Sequence, residues 1–366
     1  MLRVGWIVPG FSGDERDWCI PALLDLSREI GKRCSLAIVA MRYPCRRDQY
    51  TVGEASVSSI GGGHPGPSRT LGIWADTVRA VMALRVDVLH AIWAYEPGLM
   101  AALFASRLPV VVSLAGGELV SLPSIGYGLM RKFRTRVPTL WALRRAHVVT
   151  AGSRFLLKKA ERFLDPDKLR HIPFGIAAAR WVGARPGRLN KTVLNVGSLE
   201  PVKDHASLIR AFARVLKRIP SANLQIAGGG REESALAKLA LDVSCSQRVS
   251  LIGPVPHEKL ATYYAGASLF AQASMHEAQG MAVLEAAASG LPIVGTDVGV
   301  LESLAPDAAV ATPVGNSDAL AEALARVLEN PPEAERLGGA ARAVALRNYG
   351  VETVAGQFVE LYESLI

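Results

Sequence analysis

Short apolar runs alternate with longer helical patterns along the first half of the chain. The runs lie at residues 2–8, 36–40, 86–90, 110–114 and 148–151. They are too short for core helices, and helical stretches separate them. Strands that alternate with helices in this way form βαβ units, which build parallel sheets. The first half of the chain is therefore predicted to be an α/β domain with a doubly wound sheet.

A second series of the same kind begins after a stretch rich in Gly, Pro and Arg at residues 182–188. Its apolar runs lie at residues 192–196, 224–227, 249–252, 269–273 and 292–296. An amphipathic pattern closes the chain. We expect two domains, 1–183 and 184–347, followed by a helix over 348–366.

Length and composition agree with two domains. Half of the 366 residues are hydrophobic, which is enough for two cores, and no low-complexity tract indicates disorder. The N-terminal apolar run ends at Pro9 and Gly10 without the features of a secretory signal, and no stretch has the length of a membrane span. The four cysteines show no metal-type spacing, so we expect reduced thiols in a cytoplasmic protein, with a disulfide as the alternative.

Two glutamates eight residues apart, Glu277 and Glu285, flank a predicted junction between a loop and a helix. The helix is predicted from Gly280 onward. Its first-turn amides, at Gln279, Gly280 and Met281, lack partners within the helix and favour an anion there. Carboxylates are acceptors that suit hydroxyl groups. The junction is therefore a candidate site for a phosphorylated, polyhydroxylated ligand.

The alternative is that Glu277 caps the helix and Glu285 faces solvent. Glu285 lies among alanines and leucines, however, in a helix that should be largely buried. An unpaired carboxylate is costly there, so Glu285 needs a partner, for which a ligand is one candidate.

The segment HEAQGMAVLEAAASGLPIV, residues 276–294, resembles the glutamate-pair signature of the retaining GT-B glycosyltransferases of family 4. The segments at residues 193–212, 224–230 and 249–270 resemble the preceding blocks of the same C-terminal domain, in the same order. The resemblance covers most of the second half and, more thinly, the first. It implies two Rossmann-like domains facing a central cleft, with the final helix crossing back to the first domain.

The resemblance also implies a reaction, the transfer of a hexose from a nucleotide diphosphate sugar to a hydroxyl acceptor with front-face attack and no protein nucleophile. Glu277 would hold hydroxyls of the donor sugar, Glu285 the ribose, and Lys203 the diphosphate. A UDP-sugar is mildly preferred. No metal or other cofactor is expected, because Lys203 and helix-terminal amides would neutralise the departing nucleotide.

Other positions match the donor-binding blocks of the family less completely. Ser198 stands where arginine is common, so either Arg231 or another basic group supplies the missing charge, or diphosphate binding is weaker than usual. Gly253 and Val255 match positions whose backbone meets the nucleotide base. The triplet at residues 228–230 either approaches the ligand or makes a tight turn.

In the first domain, residues 9–18 resemble a loop on the acceptor side of the cleft, where Gly10 and Gly13 would permit close approach. Ala115 stands where many relatives carry a catalytically important histidine. Either the amides of Gly116 and Gly117 replace it, or His90 supplies an imidazole, or activity is lost.

Two further segments differ from family or fold patterns. Phe174 and Ala177 stand where asparagine and aspartate are usual, which puts donor or hinge detail in doubt. Asp165 and Asp167 flank a proline and favour a turn over a metal site.

The chain carries a formal charge of +8, part of it concentrated at residues 130–147. This basic segment also contains Phe133, Leu140 and Trp141. It favours either peripheral contact with an anionic membrane, which would bring the enzyme to a lipid-linked acceptor, or a solvated helix face. Nucleic acid is not expected as a partner.

The sequence therefore predicts a retaining hexosyltransferase acting on a lipid-linked or polysaccharide precursor. One alternative is a catalytically degenerate donor-binding or regulatory subunit of the same fold, suggested by Ala115 and Ser198. Another is a different reaction on this fold, such as a phosphorylase or epimerase.

Overall fold

The computed structural model describes residues 1–63, 67–181 and 190–366. The described chain divides into two compact units. One contains Met1–Gly175 together with Val351–Ile366, and the other contains Ile176–Gly350. The predicted linker at residues 182–188 lies outside the described residues.

The first unit contains eight strands and six α-helices among its described residues. In chain order they are β1 (Arg3–Gly10), α1 (Pro21–Gly31), β2 (Ser35–Tyr43), β3 (Asp48–Val52), β4 (Ala55–Ser59), α2 (Pro67–Ala83), β5 (Val88–Ile92), α3 (Glu96–Ala102), β6 (Val110–Leu114), α4 (Phe133–Arg145), β7 (Val148–Ala151), α5 (Arg154–Ala160) and β8 (Leu169–His171), and the C-terminal helix Val351–Glu363 joins them.

These strands form one sheet in the order β3-β4-β2-β1-β5-β6-β7-β8. Neighbouring strands are parallel except for the antiparallel pair β3 and β4. The chain leaves β1 toward β2 on one side and reaches β5 on the other. In open parallel sheets, ligands bind at the carboxyl ends of strands where the winding direction changes. The carboxyl ends of β1 and β5 therefore mark the expected site of this unit.

The second unit is a six-stranded parallel sheet in the order β11-β10-β9-β12-β13-β14. Its elements are β9 (Thr192–Val196), α6 (His205–Arg218), β10 (Asn223–Ala227), α7 (Glu233–Asp242), β11 (Val249–Gly253), α8 (Leu260–Gly266), β12 (Leu269–Gln272), α9 (Met281–Ala288), β13 (Ile293–Thr296), α10 (Leu301–Leu304), β14 (Val310–Thr312), α11 (Ser317–Glu329) and α12 (Pro331–Asn348). The winding changes direction between β9 and β12.

The C-terminal helix, α13 (Val351–Glu363), packs within the first unit. Tyr362 is fully buried there, and its hydroxyl accepts a hydrogen bond from the Trp6 indole at 3.3 Å. Arg33 donates to the Glu352 carbonyl at 3.0 Å. The chain therefore returns to the first unit after completing the second.

Residues 176–181 pack with the second unit, although the sequence places them in the first domain. Ile176 and Trp181 are 3% and 1% exposed in a core cluster that also contains Tyr264 and Phe270. Their apolar side chains complete this core, so the units divide after Gly175.

Each predicted strand has a counterpart, but the strands β3, β4, β8 and β14 were not predicted. β3 and β4 form a hairpin at the sheet edge, where Tyr50 pairs with Val57. Because polar residues alternate with apolar ones in this hairpin, it contains no continuous apolar run. β8 and β14 have three residues each, which is too short to give a recognisable pattern. In the described part of the chain, no helix has both the length and the apolar character needed to cross a membrane.

Candidate functional site

Lys203 and Glu277 meet at the carboxyl ends of β9 and β12, the strands between which the second sheet changes its winding direction. Lys203 ends a short 3-10 turn, Pro201–Lys203, between β9 and α6, and Glu277 follows β12. The Lys203 ammonium lies 2.6 Å from Glu277 Oε1, and the Ser274 hydroxyl donates to the same oxygen at 2.7 Å. Because β9 and β12 are neighbours, the loops after them converge and place a cation beside a carboxylate.

This ion pair is partly accessible. The Lys203 side chain is 27% exposed and that of Glu277 is 13% exposed. The Met275 amide donates to the Val202 carbonyl at 2.8 Å, which holds the two loops together. Both charged groups are therefore within reach of a ligand, on loops that are bonded to each other.

The glycine triplet brings backbone against backbone beside Lys203. A side chain on Gly228 would overlap the Gly197 carbonyl oxygen, and one on Gly230 would lie 2.5 Å from the Leu199 carbonyl oxygen. The Leu199 amide donates to the Gly229 carbonyl at 2.9 Å. The triplet thus makes the tight turn that was one of the two expectations for it.

The loop before α9 is shaped by glycine as well. Gly280 has a φ of 96°, in the left-handed region, and caps the helix. Gly299 presses against this loop, because a β-carbon there would lie 2.5 Å from the Gln279 carbonyl oxygen and 2.8 Å from Glu277 Cβ. The Val300 amide donates to the Gln279 carbonyl at 2.7 Å, and Met281 packs partly buried against the core.

Glu285 lies inside α9 and has protein partners that the sequence did not reveal. Tyr264 donates to Oε2 at 2.8 Å, and His257 Nε2 lies 2.9 Å from Oε1. Glu285 is 7% exposed, and a buried carboxylate requires hydrogen-bond partners. Tyr264 and His257 are those partners. Burial first, and the Glu285 charge second, raise the pKa of Tyr264 well above its usual value.

The remaining donor-site candidates surround this region. Ser198 is exposed directly after β9. Arg231, in the loop after β10, lies 2.9 Å from Glu200, which is two residues after Ser198 in the loop after β9. Gly253 has a φ of 81° and its carbonyl accepts from the Gly228 amide at 2.9 Å, with Val255 two residues farther on.

His90 lies in the core of the first unit. It is fully buried, with Nδ1 2.6 Å from the Tyr362 hydroxyl and Nε2 2.7 Å from the Ser113 hydroxyl. Burial lowers the pKa of His90 to about 3. Since both ring nitrogens are used and the ring has no access to solvent, the expectation that His90 supplies an imidazole to the site is corrected.

Glu118 occupies the loop where the sequence suggested free glycine amides. Its carboxylate accepts from the Gly116 amide at 2.7 Å and from the Ala115 amide at 3.0 Å. Gly117 lies under the Tyr127 ring, whose nearest atom is 2.7 Å from the position of a β-carbon. The glycines therefore make room for side chains, and the Gly116 amide is engaged by Glu118.

The two N-terminal glycines are also engaged within the first unit. The Gly13 amide donates to Asp17 Oδ2 at 2.7 Å. A β-carbon on Gly10 would lie 3.0 Å from Tyr43 Cβ and 3.5 Å from Cys19 Sγ. Asp165 and Asp167 form a turn in which the Asp165 carboxylate accepts from the Asp167 amide at 3.0 Å.

Two family models match most of the chain. Residues 22–180 match "Glycosyltransferase Family 4", and residues 185–344 match "Glycosyl transferases group 1". This chain belongs to glycosyltransferase family 4. Its fold is that of the GT-B glycosyltransferases.

The chain is similar to a curated relative from Corynebacterium glutamicum, the GDP-mannose-dependent monoacylated alpha-(1-6)-phosphatidylinositol monomannoside mannosyltransferase. It is 29% identical over 59% of this chain and 62% of its own length. The D-inositol 3-phosphate glycosyltransferase of Nocardia farcinica is 35% identical over 49% of this chain and 41% of its own length. The chain thus matches about half the length of these two relatives.

A solved structure shares the fold along the whole chain. Sucrose-phosphate synthase from Thermosynechococcus elongatus superposes with a TM-score of 0.85, at 20% identity, over 100% of this chain and 99% of that one. At that identity the similarity shows the fold alone.

The helix α4 exposes apolar and basic side chains together. Phe133, Val137 and Trp141 are 80%, 46% and 39% exposed, and their spacing of four residues places them on one stripe of the helix. Exposed basic residues flank or precede this stripe, namely Arg131, Lys132, Arg134, Arg136, Arg144 and Arg145. We call this surface the α4 stripe.

Proposed function

We propose that this protein is a retaining hexosyltransferase that moves a hexose from a nucleotide diphosphate sugar to a hydroxyl acceptor. The contact between Lys203 and Glu277 carries the proposal. A cation suited to a diphosphate and a carboxylate suited to sugar hydroxyls lie 2.6 Å apart at the winding change of a parallel sheet. Family membership supports the same reaction class.

Donor binding exchanges the ion pair for two new sets of contacts. The diphosphate takes Lys203, and the hexose hydroxyls take Glu277, which keeps its bond from Ser274. The acceptor oxygen forms a bond to the anomeric carbon on the face from which the phosphate leaves. The bond to the phosphate oxygen breaks, and the acceptor proton passes to that oxygen. Lys203 stabilises the negative charge of the departing diphosphate.

Glu285 binds the ribose in this proposal. A carboxylate oxygen accepts more than one hydrogen bond, so the contacts with Tyr264 and His257 leave acceptor capacity for the ribose hydroxyls. Those two contacts fix the carboxylate orientation. Tyr264 and His257 are therefore positioning residues.

The donor is expected among GDP- and UDP-hexoses. GDP-mannose comes first, because the name of the Corynebacterium relative specifies it. This replaces the mild preference for UDP that the resemblance alone suggested. The acceptor is expected to be lipid-linked, because that relative acts on a phosphatidylinositol derivative and because this chain exposes the α4 stripe.

Donor turnover tests the reaction. The purified protein is incubated with GDP-mannose, UDP-glucose or ADP-glucose, and NMR follows nucleotide release together with the anomeric configuration of the first product. Release from one donor with retained configuration is expected. Lys203→Ala and Glu277→Gln should abolish it, whereas Lys217→Ala and Glu258→Gln, at exposed residues of the same unit, should not. An inverted product contradicts the retaining mechanism.

Membrane contact through the α4 stripe is tested separately by vesicle flotation. Aromatic side chains insert at the lipid interface, and adjacent arginines are attracted to anionic headgroups. We expect recovery with phosphatidylcholine vesicles that contain phosphatidylglycerol but not with phosphatidylcholine alone. Phe133→Ser should lower the recovery, and Leu71→Ser, at a residue 70% exposed on α2, serves as the control. Equal recovery for both variants contradicts the assignment.

One observation favours a second candidate, a catalytically degenerate donor-binding subunit. Ala115 lacks an imidazole, His90 is buried, and the Gly116 amide is bonded to Glu118. None of these groups replaces the family histidine. A donor that raises the melting temperature but is neither hydrolysed nor transferred would identify this candidate.

A further inference from the structure

Trp93 holds a backbone conformation that bulky side chains rarely adopt. It follows β5 directly and has a φ of 77°, in the left-handed region. A β-carbon is disfavoured there, and residues held in such conformations are concentrated at functional sites. Trp93 also lies at the carboxyl end of β5, beside β1, where the winding of the first sheet changes direction. This is the usual ligand position in an open parallel sheet.

Glu118 holds the backbone directly after Trp93. Besides the amides of Ala115 and Gly116, its carboxylate accepts from the Ala94 amide, the residue directly after Trp93, at 3.4 Å. Glu118 is 2% exposed, and these backbone amides supply hydrogen bonds to its buried carboxylate. It ties the end of β5 to the loop after β6 and is a positioning residue.

Two aromatic rings lie against this loop. The Trp93 indole contacts Gly116, with Nε1 3.1 Å from the position of a β-carbon, and the Tyr127 ring contacts Gly117 in the same way. Both aromatic residues are partly exposed. The pair of glycines is therefore explained by the approach of two rings, which larger residues would prevent.

We infer that Trp93 and Tyr127 form the acceptor-recognition surface and bind the face of a polyhydroxylated six-membered ring. The inference rests on the proposed function. The two faces of such a ring carry C–H groups, which are attracted to the negative face of an aromatic system, while its hydroxyls remain at the rim. Rigid, amphipathic Trp and Tyr side chains provide contact area at low entropic cost.

The test measures binding of free rings, which needs no turnover. The probes are myo-inositol and methyl α-D-mannopyranoside, with glycerol as an open-chain polyol. The six tryptophans give indole N–H signals in NMR spectra, and Trp93→Phe assigns that of Trp93. We expect a ring probe to shift the Trp93 signal and to leave that of Trp141 unchanged. The shift of the Trp93 signal should be larger with a ring probe than with glycerol.

Two substitutions separate the ring from the backbone. Trp93→Asn keeps a residue that tolerates the left-handed conformation and removes the aromatic face, so ring binding should weaken about tenfold. Trp93→Phe keeps an aromatic face and should bind within about threefold of wild type. Trp141→Phe is the matched control. Equal binding by wild type and Trp93→Asn, or an unchanged Trp93 signal in the wild-type protein, overturns the inference.

Wild-type donor binding is measured in parallel and tests the proposed function separately. Ring binding without donor binding would leave the surface assigned and the transferase proposal contradicted. Donor binding with no ring effect would contradict the assigned surface and leave the donor site in place. Should Trp93→Asn fail to fold, the wild-type indole signal decides alone.

Discussion

Lys203 Nζ lies 2.6 Å from Glu277 Oε1, and the two residues come from loops that follow neighbouring strands of one parallel sheet. Without a ligand, each group neutralises the other. Both groups are also the ones that a diphosphate sugar requires, a cation for phosphate and an acceptor for hydroxyls. In the proposed reaction, the ion pair keeps the site organised until the donor separates it.

Removal of one member of this pair should affect binding more than stability. Partly exposed ion pairs contribute about 0–1 kcal/mol, so Lys203→Ala should lower the free energy of unfolding by no more than that. Urea denaturation measures the change, with Lys217→Ala as the control. A loss well above the control would mean that the pair serves the fold and not the ligand.

Tyr264→Phe should destabilise the protein while leaving its shape intact. The substitution removes the hydrogen bond to Glu285 Oε2 and leaves the buried carboxylate with its contact to His257 Nε2. We expect a loss of about 1–3 kcal/mol in urea denaturation and weaker donor binding. Tyr263→Phe, at the partly exposed neighbour, should change neither quantity. Unchanged donor affinity in Tyr264→Phe would remove its positioning role.

Gly228 should tolerate no side chain. A β-carbon there would overlap the Gly197 carbonyl oxygen, and its φ of 150° is unfavourable for other residues. Gly228→Ala should therefore lower the melting temperature and weaken donor binding. Gly339→Ala is the opposite control, because open space surrounds this glycine within α12 and alanine is the better helix former by about 0.8–1 kcal/mol. Equal melting temperatures for the two variants would contradict the close backbone approach.

Two buried histidines should make the protein sensitive to acid. Burial lowers the pKa of His90 to about 3 and, with a smaller contribution from Lys203, that of His205 to about 4. In the unfolded chain both titrate near 6.5, so below that pH the unfolded state binds protons that the native state does not. Stability is full above about pH 6.5 and should fall by about 1.4 kcal/mol per pH unit for each histidine as the pH drops toward these lowered values.

The variant His90→Gln isolates one of these contributions. It retains hydrogen-bonding groups for the Tyr362 and Ser113 hydroxyls but has no imidazole to protonate. Urea denaturation between pH 4 and pH 7 should show a smaller slope of stability against pH than in the wild type. An identical slope would mean that His90 is not neutral in the native state.

Much of the fold follows from periodicity, because buried parallel strands are short continuous apolar runs. The hairpin of β3 and β4 escaped this signal because it lies at an edge, where polar positions alternate with apolar ones. The boundary near Gly175 escaped because Ile176 and Trp181 pack in a core formed by residues far along the chain. Such packing leaves no local pattern.

The candidate site was predictable where a residue type and its place in the fold agree. Lys203 and Glu277 follow strand ends, and both were chosen from the sequence. Their contact was not predicted, and neither were the partners of Glu285, because Tyr264 and His257 are 21 and 28 residues away along the chain. His90 was misassigned because a histidine in an apolar strand looks the same whether it faces a site or bonds to Ser113 on the next strand.

The most direct test of the central claim is the melting temperature of the wild-type protein and of Lys203→Ala, Glu285→Gln and Lys217→Ala with GDP-mannose, UDP-glucose and ADP-glucose. A donor at one hundred times its dissociation constant stabilises the native state by about 2.7 kcal/mol, which is readily measured. The account predicts a rise with one donor in the wild type and in Lys217→Ala, and its loss in the other two variants. A rise that persists in Lys203→Ala and Glu285→Gln, or no rise with any donor, would contradict it.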